Sequence, residues 1–416
     1  MGPSKRSTSS SACKWTEIFE RTTFMFKSLM VFSRAGWLLL AAPFFGFSTG
    51  ALFPLVALEL DRLGFGEAFV GSATSLYYAG SLTGALTYGW ILNRVGYKVA
   101  FFAMAMLAGV ATFALTQFDD PFVWLGLRFL GGYALGGYYI VVDSWVPALG
   151  TRQTRGRLFA GFETLRLLAT AIGPSLIVVG ATTTSITLVA IGYAVSFVPA
   201  LFNDAPNPKA KDRRLSGGIA GLARCFPFAL AVAFCGGIAN ASFYGLSAVY
   251  ANALGYDAVQ IALFVGIVLV APAVIAIPVG ALGDRFRRMP VALSIAGLSL
   301  LACIFVSLVQ PTSFWTATAA SVVASGCLVP LYVLGLSRIV DAVGEQDVVL
   351  AATTSLLAYN AGALCGPFAA GFAMERIGPT GLFVFLGVVA SVATLLAVAD
   401  MHPSRCCPEG AEMAHA

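Results

Sequence analysis

Apolar residues along this chain gather into twelve long runs of about 20 to 30 residues, and short polar segments separate one run from the next. Apolar runs of that length with few charges are typical of membrane-spanning helices. We therefore predict an all-α membrane protein with transmembrane helices over residues 35–58, 68–91, 97–117, 121–146, 156–180, 184–203, 221–250, 258–282, 290–309, 313–339, 348–374 and 379–400.

One long polar stretch, Pro206–Ser216, interrupts this pattern after the sixth apolar run. It divides the predicted spans into two groups of six, so we expect two six-helix bundles joined by a linker. The predicted organisation is an N-terminal segment over 1–34, a first bundle over 35–203, a linker over 204–220, a second bundle over 221–400 and a tail over 401–416.

Composition and charge agree with a membrane protein and indicate its orientation. Hydrophobic residues make up 58% of the 416 positions and charged residues 11%, against roughly 25% charged residues in soluble proteins. With the N-terminus in the cytoplasm, 21 of the 25 Lys and Arg residues fall in cytoplasmic segments and two fall in outer loops. Because basic residues favour the cytoplasmic side, we predict that both termini are cytoplasmic. The net charge of +5 then reflects this bias, and we expect no nucleic-acid partner.

The chain lacks the residue patterns of common catalytic and metal sites. None of its eight cysteines falls in a predicted outer loop, and its two histidines, His402 and His415, lie in the tail. No phosphate-binding loop, nucleophile elbow or zinc-ligand spacing is present. We therefore predict that the protein is not an enzyme and needs neither a cofactor nor a metal.

The two halves of the sequence repeat each other. At an offset of 191 positions, Gly89 aligns with Gly280 and Arg94 aligns with Arg285. Farther on, the pair Gly173-Pro174 aligns with Gly366-Pro367 at an offset of 193. Such parallel internal repeats are typical of membrane transporters.

The repeated stretches, "GWILNRVGYK" and "GALGDRFRRM", resemble motif A of the major facilitator superfamily, although Asn93 replaces the usual aspartate in the first copy. The resemblance covers essentially the whole chain, and "VVDSW" followed by "RGR" resembles a bacterial subgroup with mostly unassigned substrates. It implies two pseudo-symmetric bundles that transport a solute by alternating access, with these loops holding the cytoplasmic side closed. The predicted cytoplasmic gate comprises Gly89, Asn93, Arg94, Asp143, Arg157, Gly280, Asp284 and Arg285.

Three charged residues fall deep inside predicted spans, away from the span ends. Arg128, in a stretch that resembles motif B of the same family, is about seven residues from the outer end of its span, or roughly 11 Å deep. Glu163 and Arg166 share a face of the next span. They lie roughly 12 and 16 Å along that span from its cytoplasmic end. We expect all three at a similar depth, as a charge site. Because arginine keeps its proton, Glu163 is the predicted proton carrier, and a purely structural ion network is the alternative.

The family resemblance implies a central cavity lined by the first, fourth, seventh and tenth spans. Aromatic, amide and hydroxyl groups in and beside those spans suit a small, partly apolar organic solute. The candidate cavity residues are Ser48, Thr49, Tyr77, Tyr138, Asn240, Tyr244, Tyr332 and Asn360.

These observations lead to one functional hypothesis and two alternatives. The first is a monomeric, proton-coupled transporter of a small organic solute in the lipid bilayer of a bacterial inner membrane. The second keeps the fold but has Arg128 and Arg166 hold an anionic metabolite during uptake. The third is a receptor or assembly factor that has the transporter fold and moves no solute.

Overall fold

The structure is a computed structural model, and it describes residues 37–150, 154–180, 182–201, 218–311, 313–343 and 348–401. The predicted N-terminal segment, most of the linker and nearly all of the tail lie outside these residues. The described residues form helices and turns, without a strand. Twelve long helices are α1 (Trp37–Arg62), α2 (Glu67–Val95), α3 (Tyr97–Ala114), α4 (Pro121–Ala148), α5 (Arg155–Val179), α6 (Thr182–Val195), α7 (Pro227–Ala253), α8 (Ala258–Arg285), α9 (Arg288–Val309), α10 (Phe314–Val340), α11 (Val348–Ile377) and α12 (Gly381–Met401), with short helices at Val198–Leu201 and Gly218–Cys225.

Ten of these helices are long and apolar enough to cross a membrane by themselves, among the residues that the structure describes. The other two are α2 and α6. Helix α2 has 29 residues, long enough to cross, but its sequence includes many Ser and Thr. Helix α6 has only 14 residues, or roughly 21 Å, and a turn leads from it into the short helix Val198–Leu201. An all-α membrane fold is therefore established, while the count of twelve crossings remains a prediction.

Local signals in the sequence explain several helix ends. Asp120 caps α4, because its side chain accepts a hydrogen bond from the Phe122 amide at 2.8 Å, and Pro121 occupies the first helical position. Asp257 and Gln260 form a capping box at the start of α8. Inside the bundle, α5 changes to a 3-10 helix over Gly173–Val179, and α10 is interrupted just before Leu331.

Glycine residues let pairs of helices touch backbone to backbone. A side chain at Gly46 of α1 would overlap the Arg166 carbonyl of α5, and one at Gly237 of α7 would overlap the Tyr359 carbonyl of α11. Gly46 and Gly237 are 191 positions apart, and Arg166 and Tyr359 are 193 apart. The same contact therefore occurs in both halves, so the sequence repeat is also a structural repeat.

The two halves meet at the end of the bundle away from the basic loops. There the Phe368 amide of α11 donates to the Ser75 hydroxyl of α2 at 3.2 Å, and Gly245 of α7 packs on Thr74. Toward the basic loops, by contrast, α4 packs on α2, α3 and α5, while α10 packs on helices of its own half. The halves are therefore joined at one end, called the closed end below, and we expect the central cavity to open toward the basic loops.

Candidate functional site

Aromatic rings from both halves meet beneath the closed end. The ring centre of Phe53 in α1 lies 4.8 Å from that of Tyr77 in α2 and 5.3 Å from that of Tyr244 in α7. Tyr78 of α2 completes the group, with its ring centre 6.3 Å from Phe53. We call these four side chains the aromatic seal. Because Phe53 and Tyr244 belong to different halves, the seal is part of the contact between the bundles.

Arg128 of α4 lies on the side of the aromatic seal that belongs to the N-terminal half. Its guanidinium carbon is 4.7 Å from the ring centre of Phe53 and 4.4 Å from that of Tyr77, so cation–π contacts replace an ion pair. The side chain is only 2% exposed, and its Nε and Nη1 atoms have no hydrogen-bond partner. An arginine in this position is a buried charge without a counter-ion among the described residues.

Glu163 and Arg166 of α5 form an ion pair beside the cavity. Arg166 Nε lies 3.1 and 3.0 Å from the two carboxylate oxygens, and Nη2 lies 2.6 Å from Oε2. The Arg166 guanidinium also lies 5.4 Å from the ring centre of Tyr139 in α4. The Glu163 side chain is 26% exposed and that of Arg166 is 11% exposed. The pair is thus fixed against its own half, while the carboxylate stays accessible.

The structure divides the predicted charge site into two parts. Gly46 of α1 contacts the backbone at Arg166, whereas Phe53 of α1 contacts Arg128. Seven residues of helix separate these two levels, which is roughly 10 Å. Arg128 is therefore nearer the closed end than Glu163 and Arg166, and the expectation of one shared depth is wrong. The sequence estimate counted residues from the end of each helix. It assumed that α4 and α5 are placed at matching heights in the bundle, and they are not.

Their positions also change how these charges can respond to motion. Glu163 and Arg166 stand three residues apart on one helix, and Arg128 is on the neighbouring helix of the same half. A rotation of one half against the other leaves their spacing unchanged. Only water, a solute or a group from the C-terminal half can alter the surroundings of Glu163. Tyr244 is such a group, because it interacts electrostatically with both members of the ion pair.

Three predicted cavity residues lie inside the N-terminal bundle. Ser48 is fully buried, and Thr49 donates to the Phe45 carbonyl at 2.9 Å and accepts from the Tyr193 hydroxyl at 3.2 Å. The Tyr138 ring stacks on the Phe45 ring with 3.4 Å between their centres. These side chains pack among α1, α4 and α6 rather than facing the other half. Polarity alone does not identify the face of a helix that lines a cavity, because a buried hydroxyl can bond to backbone carbonyls.

The C-terminal half contributes rings and amides. Asn240 and Tyr244 stand one turn apart on α7, and both are half-buried. Tyr332 of α10 lies 5.0 Å from Tyr359 of α11 between ring centres, and the Asn360 amide donates to its own helix at Leu356. Tyr359 was not among the predicted residues, although the repeat offset identifies it as the counterpart of Arg166. Phe53 and Tyr139 were also missed, and no sequence signal distinguished them from packing residues.

The residues of the predicted cytoplasmic gate are spread over both halves. Among the described residues, nothing outside its own helix backbone lies within 4 Å of where a side chain would start at Gly89 or Gly280, so neither repeated loop packs closely at its glycine. Asp284 pairs with Arg288 at 2.7 Å, and Arg288 pairs with Asp341, the residue that follows α10, at 2.9 Å. This network belongs entirely to the C-terminal half.

The remaining gate residues lie at the surface. Asp143, Arg157 and Arg285 are exposed, and the Arg94 guanidinium covers the Trp90 ring of its own helix at 3.8 Å. The side chain of Asn93 is outside the described residues. Within the part of the chain that the structure describes, no three His, Cys, Asp or Glu side chains come close enough to hold a metal ion.

Comparison with known proteins gives one consistent result. The family model described as Major Facilitator Superfamily matches residues 38–274 and 229–412. An uncharacterized MFS-type transporter, YcaD of Escherichia fergusonii, is 25% identical over 334 residues, covering 79% of this chain and 85% of the relative. A crystal structure of the nucleoside transporter NupG superposes with a TM-score of 0.68 at 15% identity, covering 88% of this chain and 98% of NupG. A POT family transporter in complex with a thioalcohol-conjugated peptide superposes with a TM-score of 0.71 at 16% identity, covering 88% and 96%.

Proposed function

Because the chain belongs to the major facilitator superfamily of membrane transporters, we propose that it couples the movement of a small organic solute to the movement of protons. That it is an integral membrane transporter rather than an enzyme follows from the family. Proton coupling, the class of solute, a bacterial inner membrane, cytoplasmic termini and a monomeric state belong to the proposal. The uneven distribution of Lys and Arg supports the orientation.

The Glu163–Arg166 pair carries the proposal of proton coupling. Glu163 is a carboxylate beside the cavity, and it is accessible enough to exchange a proton with water in the state described here. In the state described here Arg166 holds this carboxylate through its Nε and Nη2 atoms. When a solute or Tyr244 takes over the contacts of Arg166, Glu163 loses its partner and is free to bind a proton.

The rings around the cavity support a small organic solute with an apolar part. Tyr139 and Arg166 come from the N-terminal half, and Tyr244, Tyr332 and Tyr359 come from the C-terminal half. Pockets lined by aromatic groups with a few polar atoms bind such molecules. Each half supplies some of the groups that line the cavity. The solute is therefore released when the two halves move apart, as alternating access requires.

The experiment compares binding with accumulation. Purified protein is screened by thermal shift against a library of metabolites and drugs, and the solutes that stabilise it are tested for uptake into vesicles under an imposed pH gradient. Glu163→Gln cannot exchange a proton, so it should still bind and exchange solute but fail to accumulate it. Asp119→Asn changes an exposed carboxylate in a predicted outer loop; it is the matched control and should behave as wild type. If Glu163→Gln concentrates solute like wild type, the coupling proposal is wrong.

A further inference from the structure

The charge of Arg128 is left uncompensated by its surroundings. Its guanidinium lies over the rings of Phe53 and Tyr77, and it interacts electrostatically with Tyr78 and Tyr193. None of these four side chains is a carboxylic acid. The first acidic residue after Phe53 on α1 is Glu59, and it already pairs with Arg62. A buried guanidinium without an acid partner is unfavourable, so a protein that holds it there is suited to receiving a negative charge.

The aromatic seal separates Arg128 from the cavity in this state. Phe53 and Tyr77 cover the guanidinium, and Tyr244 packs on Phe53 from the opposite half. If the halves part at the closed end, α7 moves away from α1, and Tyr244 leaves Phe53. Exposure of Arg128 is therefore tied to opening of the closed end, the side from which this cavity is now shut.

We infer that Arg128 is an anion-binding site that is reached from the closed end and that it selects solutes carrying a carboxylate or phosphate group. This inference rests on the alternating access of the proposed function. An arginine binds two oxygens of such a group at once through its planar N–H groups, which lysine cannot do. The ring faces of Phe53 and Tyr77 beside the guanidinium match a solute whose anionic group is attached to a flat or apolar body.

The two arginines then act in sequence along one path. An anion at Arg128 lies roughly 10 Å from the level of Arg166, and Tyr139 stands beside Arg166. When the closed end shuts, the aromatic seal re-forms over Arg128, and the anion moves to the deeper arginine. There it competes with Glu163, which is the step that releases the carboxylate to bind a proton.

The test uses three probes of similar size and different charge: benzoate, phenyl phosphate and neutral benzamide. Purified full-length protein is measured in two ways, by its thermal unfolding temperature with each probe and by the labelling rate of a Ser75→Cys variant. Ser75 is buried against α11 at the closed end, so its labelling reports opening. The variants are Arg128→Gln, Arg128→Lys, which keeps the charge if the glutamine variant fails to fold, and Arg166→Gln for the deeper site.

The two anions should stabilise the wild-type protein and speed the labelling of Ser75→Cys, whereas benzamide should do neither. Arg128→Gln should weaken anion binding by about tenfold or more and abolish the effect on labelling, while Arg128→Lys should retain part of both. Arg166→Gln should leave the anion-dependent labelling in place. The inference is overturned if no anion has an effect, if benzamide matches the anions, or if Arg128→Gln binds anions like wild type. Accumulation of a neutral solute that depends on Glu163 and not on Arg128 would also overturn it, and would leave the proposed function standing.

Discussion

A single hydrogen bond at the closed end offers a direct test of how the two halves are held together. Asn252 Nδ2 of α7 donates to Asp61 Oδ2 of α1 at 2.8 Å. The two residues are 191 positions apart, so they are equivalent members of the repeat that face each other between the halves. Replacing Asn252 by aspartate converts this bond into a contact between two carboxylates and should open the closed end.

The size of the effect follows from the geometry. A hydrogen bond to a charged group contributes about 1.5–3 kcal/mol when buried, and this bond is exposed, so its loss costs about 1 kcal/mol. Two like charges about 4 Å apart repel by about 1 kcal/mol in water. Together they shift the balance between closed and open by roughly 30-fold at neutral pH. Removing the charge of Asp61 in the same variant abolishes the repulsion and restores a hydrogen bond between the two positions.

The assay is double electron–electron resonance between spin labels at Leu63 and Leu254, which are exposed and also equivalent in the repeat. Asn252→Asp should add a population with a longer distance at pH 7.5. Adding Asp61→Asn to this variant reverses the direction of the bond and should restore the closed distance. An unchanged distance in Asn252→Asp, or no rescue by the second substitution, would refute this account of the closed end.

Three further outcomes test packing, the basic loops and orientation. Gly132→Val places a side chain against the Tyr77 carbonyl and should destabilise the protein by about 3 kcal/mol or more. Gly126→Val, where the space is open, should have little effect. Equal unfolding temperatures for the two variants would contradict this. Asp284→Asn removes one of the two acids that hold Arg288 and should slow transport without loss of protein from the membrane; unchanged turnover would leave this network without a role in gating. Asp119→Cys should react with an impermeant thiol reagent in intact cells, and reaction only in opened membranes would reverse the predicted orientation.

The helices could be predicted from the sequence because membrane spans are long and their ends carry local signals. The predicted starts at positions 97, 121, 258 and 348 coincide with those of α3, α4, α8 and α11. Helix α6 is shorter than its predicted span because the chain turns after Val195. The resemblance to the major facilitator superfamily, drawn from motif A and the repeat, is confirmed by the family match over both halves.

The site could be predicted only in part, because a sequence does not say which neighbours a helix face meets. Arg128, Glu163 and Arg166 stand out as charges in apolar runs, yet their relative height depends on how α1 crosses α4 and α5. Tyr138 and Tyr139 are adjacent in sequence, but the first stacks inside the bundle and the second lies against Arg166. Consecutive side chains on a helix point in directions about 100° apart around the helix axis, and that rotation separates the surroundings of these two tyrosines.

The repeat itself explains why the charges of the site are all in one half. Positions that touch Gly46 and Gly237 are structurally equivalent, but one is Arg166 and the other is Tyr359. Duplication therefore supplied two similar frameworks, and the N-terminal half carries the ionic groups while the C-terminal half offers rings. A solute held by Arg128 or Arg166 is bound mainly to the N-terminal half. On the inference above, Tyr244 of the C-terminal half covers Phe53 in the state described here and should leave it when the closed end opens. Substitutions at Arg128 should then change which solutes bind, and substitutions at Tyr244 should change how often the closed end opens.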